Sequence, residues 1–264
     1  MSLLRAALTS LEGDTRIASI LRIGISVIFV LIVWELLAKY VITNKMLLVS
    51  PGKVALALFH EAQTGALIKN SIATISAVGL SFPIAVVIGI LIGLVLASNR
   101  LFSLTFGPVM TAMYSVPVVA LAPLFIAWLG LGFASKFVVV TLVSVFPVLV
   151  TTEAGLRATD RHLLEAARAF NASKLQIFTT VMLPFALPFI VSGVRVAWAR
   201  ALVGIIVAEF FGSFAGYGFA ILAAEQTFDT ATLLSYVILL GALGLVGSLF
   251  FGWLEHKLAP WRHE

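Results

Sequence analysis

Three ionisable residues, Arg195, Arg200 and Glu209, lie in one long apolar run in the last third of the chain. A charge at the centre of a bilayer costs at least about 2.5 kcal/mol on insertion scales, so such side chains normally face a bundle interior, a partner or a water-filled path. Arg195 and Arg200 are five residues apart and need not share a helix face. Two interpretations follow. Arg200 lines a path for an anion with Glu209 near its outer gate, or the charges bond helix-end carbonyls and a neighbouring helix.

Other chemistry has little support. The chain has no cysteine and four histidines without ligand spacing, which predicts neither a metal site nor thiol catalysis. Its Gly-Lys pair, Gly52-Lys53, lacks the upstream glycine and the following hydroxyl of a P-loop, so ATP and Mg²⁺ are not expected on this chain. An intramembrane enzyme would need paired acids, a metal cluster or a nucleophile–base pair at membrane depth, and the expected spans contain no histidine. We therefore predict no catalytic residue.

The composition indicates a membrane protein. Hydrophobic residues make up 61% of the 264 residues, charged residues only 11%, and the mean hydropathy is +1.12. Soluble domains are about half apolar and a quarter charged. The net charge of +5 comes from basic residues beside apolar runs rather than in one patch, which favours lipid contact over a nucleic-acid partner.

Charged residues accumulate over 153–184, between two apolar runs. Leu163, Leu164, Ala167 and Phe170 recur at helical spacing and predict a short helix with one apolar stripe. Asp160 precedes this helix and can cap its free N–H groups.

A second helix is predicted directly after the first. Asn171 follows the last apolar position, where a left-handed residue is wanted and Asn is the usual choice after Gly. Ser173 and Gln176 form a capping box, and Pro184 and Pro188 are expected to end the second helix. The stretch is therefore expected to be an amphipathic helical hairpin.

This hairpin resembles the EAA loop of ABC-importer permeases. The matching residues are Glu165-Ala166-Ala167, Asn171 where the family usually has Gly, and Leu183-Pro184. The resemblance implies that the hairpin docks into a groove on a separate ATPase, which binds ATP and Mg²⁺. The implied coupling residues are Glu165, Ala166, Ala167, Arg168, Asn171, Ser173, Leu183 and Pro184.

The apolar runs predict an all-α polytopic protein of six spans in a single domain, and the resemblance implies the MetI-like permease fold. The expected spans are 17–40, 71–98, 101–128, 134–152, 185–211 and 231–254. In the third, Pro108, Pro117 and Pro123 predict a bent or broken helix, which hydrocarbon tolerates only beside protein or a water-filled cavity. Pro117 therefore joins Arg195, Arg200 and Glu209 as a translocation-path candidate.

Two further patterns concern packing and the far ends of the spans. Ala85, Gly89, Gly93 and Ala97 form a small-residue ridge that lets another helix approach closely. The interval 212–230, which contains Gly216-Tyr217-Gly218, is predicted to be an external turn followed by a short helix. Residues 128–136 resemble the nitrate/sulfonate/taurine branch of the permeases, which suggests a small anionic solute.

Six spans place both termini and the hairpin on one side. Ten of the 17 Lys and Arg residues are assigned to that side and five to the other, which makes the hairpin side cytosolic. Lys136 is among the five. Residues 1–16 and the tail from 256 are expected to be cytosolic, in a bacterial inner membrane.

The resemblance also implies an assembly: a second copy of the permease, two ATPase subunits and an extracytoplasmic binding protein, working by alternating access. A secondary transporter is the open alternative. It would need ion-coupling carboxylates within the spans, and the candidates are Glu35 and Glu209.

Overall fold

The computed structural model describes residues 16–42, 44 and 46–258, and those residues form an all-α protein without a strand. The expected segments at 1–15 and 259–264 lie outside the described residues, as does Lys45. The helices are α1 (Arg16–Leu36, extended by a π-helical turn, Leu37–Val41), α2 (Pro51–Gln63), α3 (Ala66–Ser98), α4 (Arg100–Ser115), α5 (Ala122–Leu129), α6 (Phe133–Arg157), α7 (Arg161–Ala169), α8 (Lys174–Ile177), α9 (Leu183–Gly212), α10 (Tyr217–Gln226) and α11 (Thr230–Leu258).

Six membrane crossings result if α4 and α5 together count as one. The other five, formed by α1, α3, α6, α8–α9 and α11, are each long and apolar enough to cross a bilayer. Between α4 and α5 the chain bends by 72°. Pro117 lies at this break. Its ring leaves no backbone N–H, so the helix loses a hydrogen bond there, and a short 3₁₀ turn at Val118–Leu121 links the two halves. The predicted broken span is confirmed.

Helix α6 lies at the centre of the bundle, between α3 and α9. In its most apolar stretch 56% of residues are buried, compared with 33% in α3. Small residues allow the contact: a Cβ built on Gly89 would lie 2.8 Å from the Val145 carbonyl oxygen, and one on Gly93 would lie 2.8 Å from that of Leu149. The predicted ridge on α3 therefore meets α6.

The first crossing stands apart from this bundle. None of the residues of its most apolar stretch is buried within the chain. One tie to the rest is the Trp34 indole, which donates to the Val49 carbonyl at 2.9 Å, close to the start of α2.

Two predicted boundaries are wrong. Pro184 and Pro188 do not end a helix, because α8 runs through a π-helical turn (Phe178–Met182) into α9 as one helix, Lys174–Gly212. The wide turn displaces the carbonyl that the Pro184 ring would otherwise meet. The hairpin also does not begin at Glu153, since α6 continues to Arg157.

Candidate functional site

The turn of the hairpin is a Schellman motif built around Asn171. This residue has φ +57°, the left-handed conformation that Asn tolerates better than most residues. The Ala172 N–H donates to the Ala167 carbonyl at 3.1 Å, and the Asn171 N–H donates to the Arg168 carbonyl at 2.9 Å. These are the two bonds that define the motif, and they satisfy the last carbonyls of α7.

Both helices of the hairpin also begin with a side-chain cap. Asp160 accepts from the His162 N–H at 2.8 Å at the start of α7. Ser173 accepts from the Gln176 N–H at 3.3 Å, and the Gln176 side chain accepts from the Ser173 N–H at 2.8 Å, which completes the predicted capping box. Caps at both starts and a Schellman turn between them make a well-defined hairpin.

The hairpin presents apolar side chains to its surroundings. Phe170 is 88% exposed, Leu175 is 71% exposed and Leu163 is 49% exposed. Of the sequence-predicted coupling residues, Glu165, Ala166, Arg168, Asn171 and Ser173 are exposed, while Ala167, Leu183 and Pro184 are half-buried. The surface of α7 and α8 is therefore polar with an apolar centre, which is typical of a docking surface.

Polar contacts at the end of α6 hold the base of the hairpin. Arg157 Nη2 donates to the Leu96 carbonyl at 3.0 Å, in the last turn of α3, and Arg157 Nε donates to Glu153 Oε1 at 2.9 Å. The same Glu153 oxygen accepts from Ser103 Oγ of α4 at 3.1 Å. These two charged residues, predicted to belong to the loop, thus fasten three membrane helices at the hairpin end.

A cavity of about 480 Å³ lies where the α4–α5 break meets α6 and α9. This volume is typical of small-ligand sites, which span about 300–1,000 Å³. It is lined by Tyr114, Val116, Pro117, Val118, Val119, Val143, Phe146, Ala199, Arg200 and Val203. Two predicted path residues, Arg200 and Pro117, therefore line one cavity with otherwise mostly apolar walls.

The other two predicted path residues lie elsewhere. Arg195 Nε donates to Ser248 Oγ of α11 at 3.2 Å, so its guanidinium lies against that helix. Glu209 is fully buried near the far end of α9, away from the hairpin.

Glu209 belongs to a buried polar cluster, which we call the far-end cluster: Asn70, Thr74, Lys136, Glu209 and the turn Gly216–Gly218. Glu209 accepts from Thr74 Oγ1 at 2.9 Å and from the Gly218 N–H at 2.8 Å. The Lys136 Nζ atom lies 3.6 Å from Glu209 Oε1 and donates to the Ala215 carbonyl at 3.2 Å. The buried carboxylate thus has two donors and a counter-charge.

The sequence predicts that Lys136 flanks a span at the surface, but its side chain is buried. It is in the first turn of α6 and only 6% exposed, because Glu209 draws its ammonium group inward. Asn70 and Thr74 were not predicted as functional. The sequence carries a weak signal for them, since both are polar residues four apart in a largely apolar helix.

Comparison with known proteins agrees with this architecture. The family model described as "Binding-protein-dependent transport system inner membrane component" matches residues 85–260. The riboflavin transport system permease protein RibX of Chloroflexus aurantiacus is 32% identical over 241 residues, covering 91% of this chain and 90% of RibX. SsuC of Bacillus subtilis (strain 168), named as a putative aliphatic sulfonates transport permease, is 30% identical over 235 residues, covering 89% of this chain and 85% of SsuC.

A solved structure shares the fold. The inward-facing MetNI methionine ABC transporter aligns with a TM-score of 0.66 at 19% identity, over 75% of this chain and 98% of that one. The capped hairpin, the broken crossing beside a cavity and the match over residues 85–260 lead to one assignment. The chain belongs to the binding-protein-dependent transport system inner-membrane component family, the transmembrane permeases of ABC importers.

Proposed function

We propose that this chain forms the translocation path of an ATP-driven importer and that its hairpin, α7–α8, docks on a separate ATPase subunit. The observation that carries the proposal is Phe170, which is 88% exposed at the turn of a hairpin whose helices are capped. An aromatic side chain held rigidly in water favours a partner that covers it. Leu163 and Leu175 extend the same apolar centre.

The proposed assembly contains two copies of this chain around one path, two ATPase subunits that carry ATP and Mg²⁺, and an extracytoplasmic binding protein. The hairpin and both termini lie in the cytosol of a bacterial cell whose inner membrane holds the helices. Membership of a binding-protein-dependent family and the fold shared with the MetNI methionine ABC transporter support this arrangement. The chain itself performs no bond chemistry.

The continuous helix Lys174–Gly212 supplies a mechanical link. It begins at the hairpin and carries Arg200, so a displacement of the hairpin by the ATPase also moves the wall of the cavity. ATP binding then opens the path to the outside, and hydrolysis resets the inward-facing state.

The solute is proposed to be a small anion. Arg200 makes no hydrogen bond or ion pair with the part of the chain that the structure describes, and its charge lines a mostly apolar cavity. The name of SsuC supports a sulfonate-like solute, whereas RibX and MetNI are named for unlike solutes. The Arg200 guanidinium, more than the names of the relatives, therefore supports an anionic solute.

Recovery of the ATPase with the tagged permease from native membranes tests the proposal. Phe170→Ser should weaken the complex by about thirtyfold and reduce recovery accordingly, because loss of a central aromatic anchor costs an interface about 2 kcal/mol or more. Arg161→Ala is the matched control, since Arg161 is exposed on the opposite face of α7. If the chain were a secondary transporter, no ATPase would be recovered with the wild-type permease or with either variant.

A further inference from the structure

The start of α10 is capped by side chains from other helices. The N–H groups of Gly216, Tyr217 and Gly218 donate in turn to Asn70 Oδ1, Thr74 Oγ1 and Glu209 Oε2, at 3.0, 2.8 and 2.8 Å. These are among the N–H groups that a helix leaves without an internal partner. The positive end of the helix dipole also faces the Glu209 carboxylate, which favours the charge there.

Only glycine fits where the turn crosses Glu209. A Cβ on Gly216, whose φ is +130°, would overlap the Glu209 carboxylate, and one on Gly218 would lie 2.6 Å from the Ile206 carbonyl oxygen. The Gly-Tyr-Gly sequence is therefore the consequence of wrapping a turn directly onto a buried acid.

The hydrogen bonds continue to two more helices. Asn70 Nδ2 donates to the Tyr236 hydroxyl of α11 at 2.8 Å, and this hydroxyl donates to Glu61 Oε2 of α2 at 2.6 Å. The network thus joins α2, α3, α6, α9, α10 and α11. Buried networks whose members are all satisfied rigidify the structure, and separating their members leaves polar groups uncompensated.

The α4 half of the broken crossing differs from these helices, whereas α5 packs against α6 and α9 through Ala122. Among the residues that the structure describes, α4 bonds another helix through Ser103, which donates to Glu153 at the hairpin end, and the break lies beyond this contact. Val116 and Pro117 at the break are exposed and line the Arg200 cavity.

We infer that Glu209 is a positioning residue that holds the far ends of α3, α6, α9 and α10 together as one rigid unit throughout transport, and that the α4–α5 break is the segment that moves to open the cavity. The inference rests on the proposed function for its transport cycle. The rigid unit itself is a property of this chain alone.

Hydrogen–deuterium exchange of the purified full chain in nanodiscs tests the rigid unit. Glu209→Ala should speed exchange of the Gly218 amide and its neighbours by about tenfold or more, since their acceptor is lost. Lys136→Met should do the same by leaving the carboxylate unpaired. The double variant Glu209→Gln/Lys136→Met, which removes both charges, should exchange more slowly than Lys136→Met alone.

Glu225→Gln is the matched control, because Glu225 is an exposed acid on α10, the helix whose first amides are measured. Slower exchange in the double variant than in Lys136→Met would show that the two charges act as a pair. A merely local structural role of either residue does not predict that difference. Unchanged exchange in Glu209→Ala, or wild-type amides at 216–218 that are already unprotected, would overturn the inference.

The assembled transporter tests the moving segment. Because the chain has no cysteine, Val116→Cys gives it a single thiol, whose labelling by a water-soluble maleimide is followed on the permease subunit. Addition of ATP should change the labelling rate of Val116→Cys several-fold, while the amides of 216–218 stay protected from exchange. Loss of that protection with ATP, or labelling at Val116 that is insensitive to ATP while exchange in the hairpin responds, refutes the inference. If neither the hairpin nor the break responds to ATP, the proposed function fails, and exchange in the isolated chain still decides whether Glu209 holds the rigid unit.

Discussion

Arg200 brings its charge into the cavity from near the middle of α9, with no partner among the described residues. A hydrogen bond to a charged group contributes about 1.5–3 kcal/mol, so an anionic solute would gain roughly tenfold or more in affinity from this contact. Uptake of radiolabelled taurine, a sulfonate, by membrane vesicles measures the effect. We expect Arg200→Ala to raise KM by about tenfold and Arg200→Lys to raise it less.

Arg195→Lys provides the comparison for Arg200, because Arg195 bonds Ser248 outside the cavity lining and the lysine keeps its charge. Equal uptake by Arg200→Ala and wild type at equal expression would remove the anion hypothesis.

Asn171 determines the hairpin turn through its left-handed backbone. A β-branched residue pays about 1–2 kcal/mol in that conformation, whereas glycine adopts it without a steric penalty. We expect Asn171→Val to loosen the hairpin and Asn171→Gly to leave it intact. Limited trypsin digestion reads this directly, since Arg168 and Lys174 flank the turn and cleavage there should be several-fold faster in Asn171→Val. Equal cleavage of the two variants would contradict the proposed role of the turn.

Some features of single residues can be predicted from the local sequence and others cannot. The caps at Asp160 and Ser173 bond groups two or three residues away, so local patterns predicted them. The Lys136–Glu209 contact joins residues far apart in the chain, and nothing local distinguishes Lys136 from a lysine at a span end. Its role depends on the packing of α6 against α9.

At the scale of elements, helix type was predictable and helix ends were not. Charged residues indicated that α6 should stop before Glu153, yet Glu153 and Arg157 satisfy each other and the neighbouring helix ends, so the helix continues. Pro184 indicated a stop, yet the preceding π-helical turn accommodates it. In the first case side-chain contacts made on folding override a local stop signal, and in the second a wider helical turn does so.

Close contact between α3 and α6 should depend on Gly93. A Cβ there would lie 2.7 Å from the Thr152 Cβ atom, so Gly93→Ala overpacks the interface and should destabilise the protein by about 1–3 kcal/mol. Gly79, on the same helix, has nothing within 4 Å of its Cβ position. Gly79→Ala should therefore be neutral or stabilising, by up to about 1 kcal/mol. Thermal unfolding in detergent compares the two, and equal midpoints would refute the tight packing.

For the whole molecule, two polar assemblies lie at opposite ends of the same long helix. The hairpin precedes α9, and the far-end cluster holds its last turns, with the Arg200 cavity between them. The 30 residues of α9 extend about 45 Å, which exceeds the hydrocarbon thickness of about 30 Å. The two assemblies must therefore face opposite sides of the membrane.

That conclusion leads to a test of orientation in intact cells. Ala169→Cys places a thiol on the exposed hairpin, and Gln226→Cys places one at the exposed end of α10. The chain has no other cysteine, so a membrane-impermeant maleimide reports on each site alone. We expect Gln226→Cys to react from outside and Ala169→Cys to react only after the cells are opened, because the excess of basic residues retains the hairpin in the cytosol. Labelling of Ala169→Cys from outside would reverse the orientation and place the hairpin beyond the reach of any cytosolic ATPase.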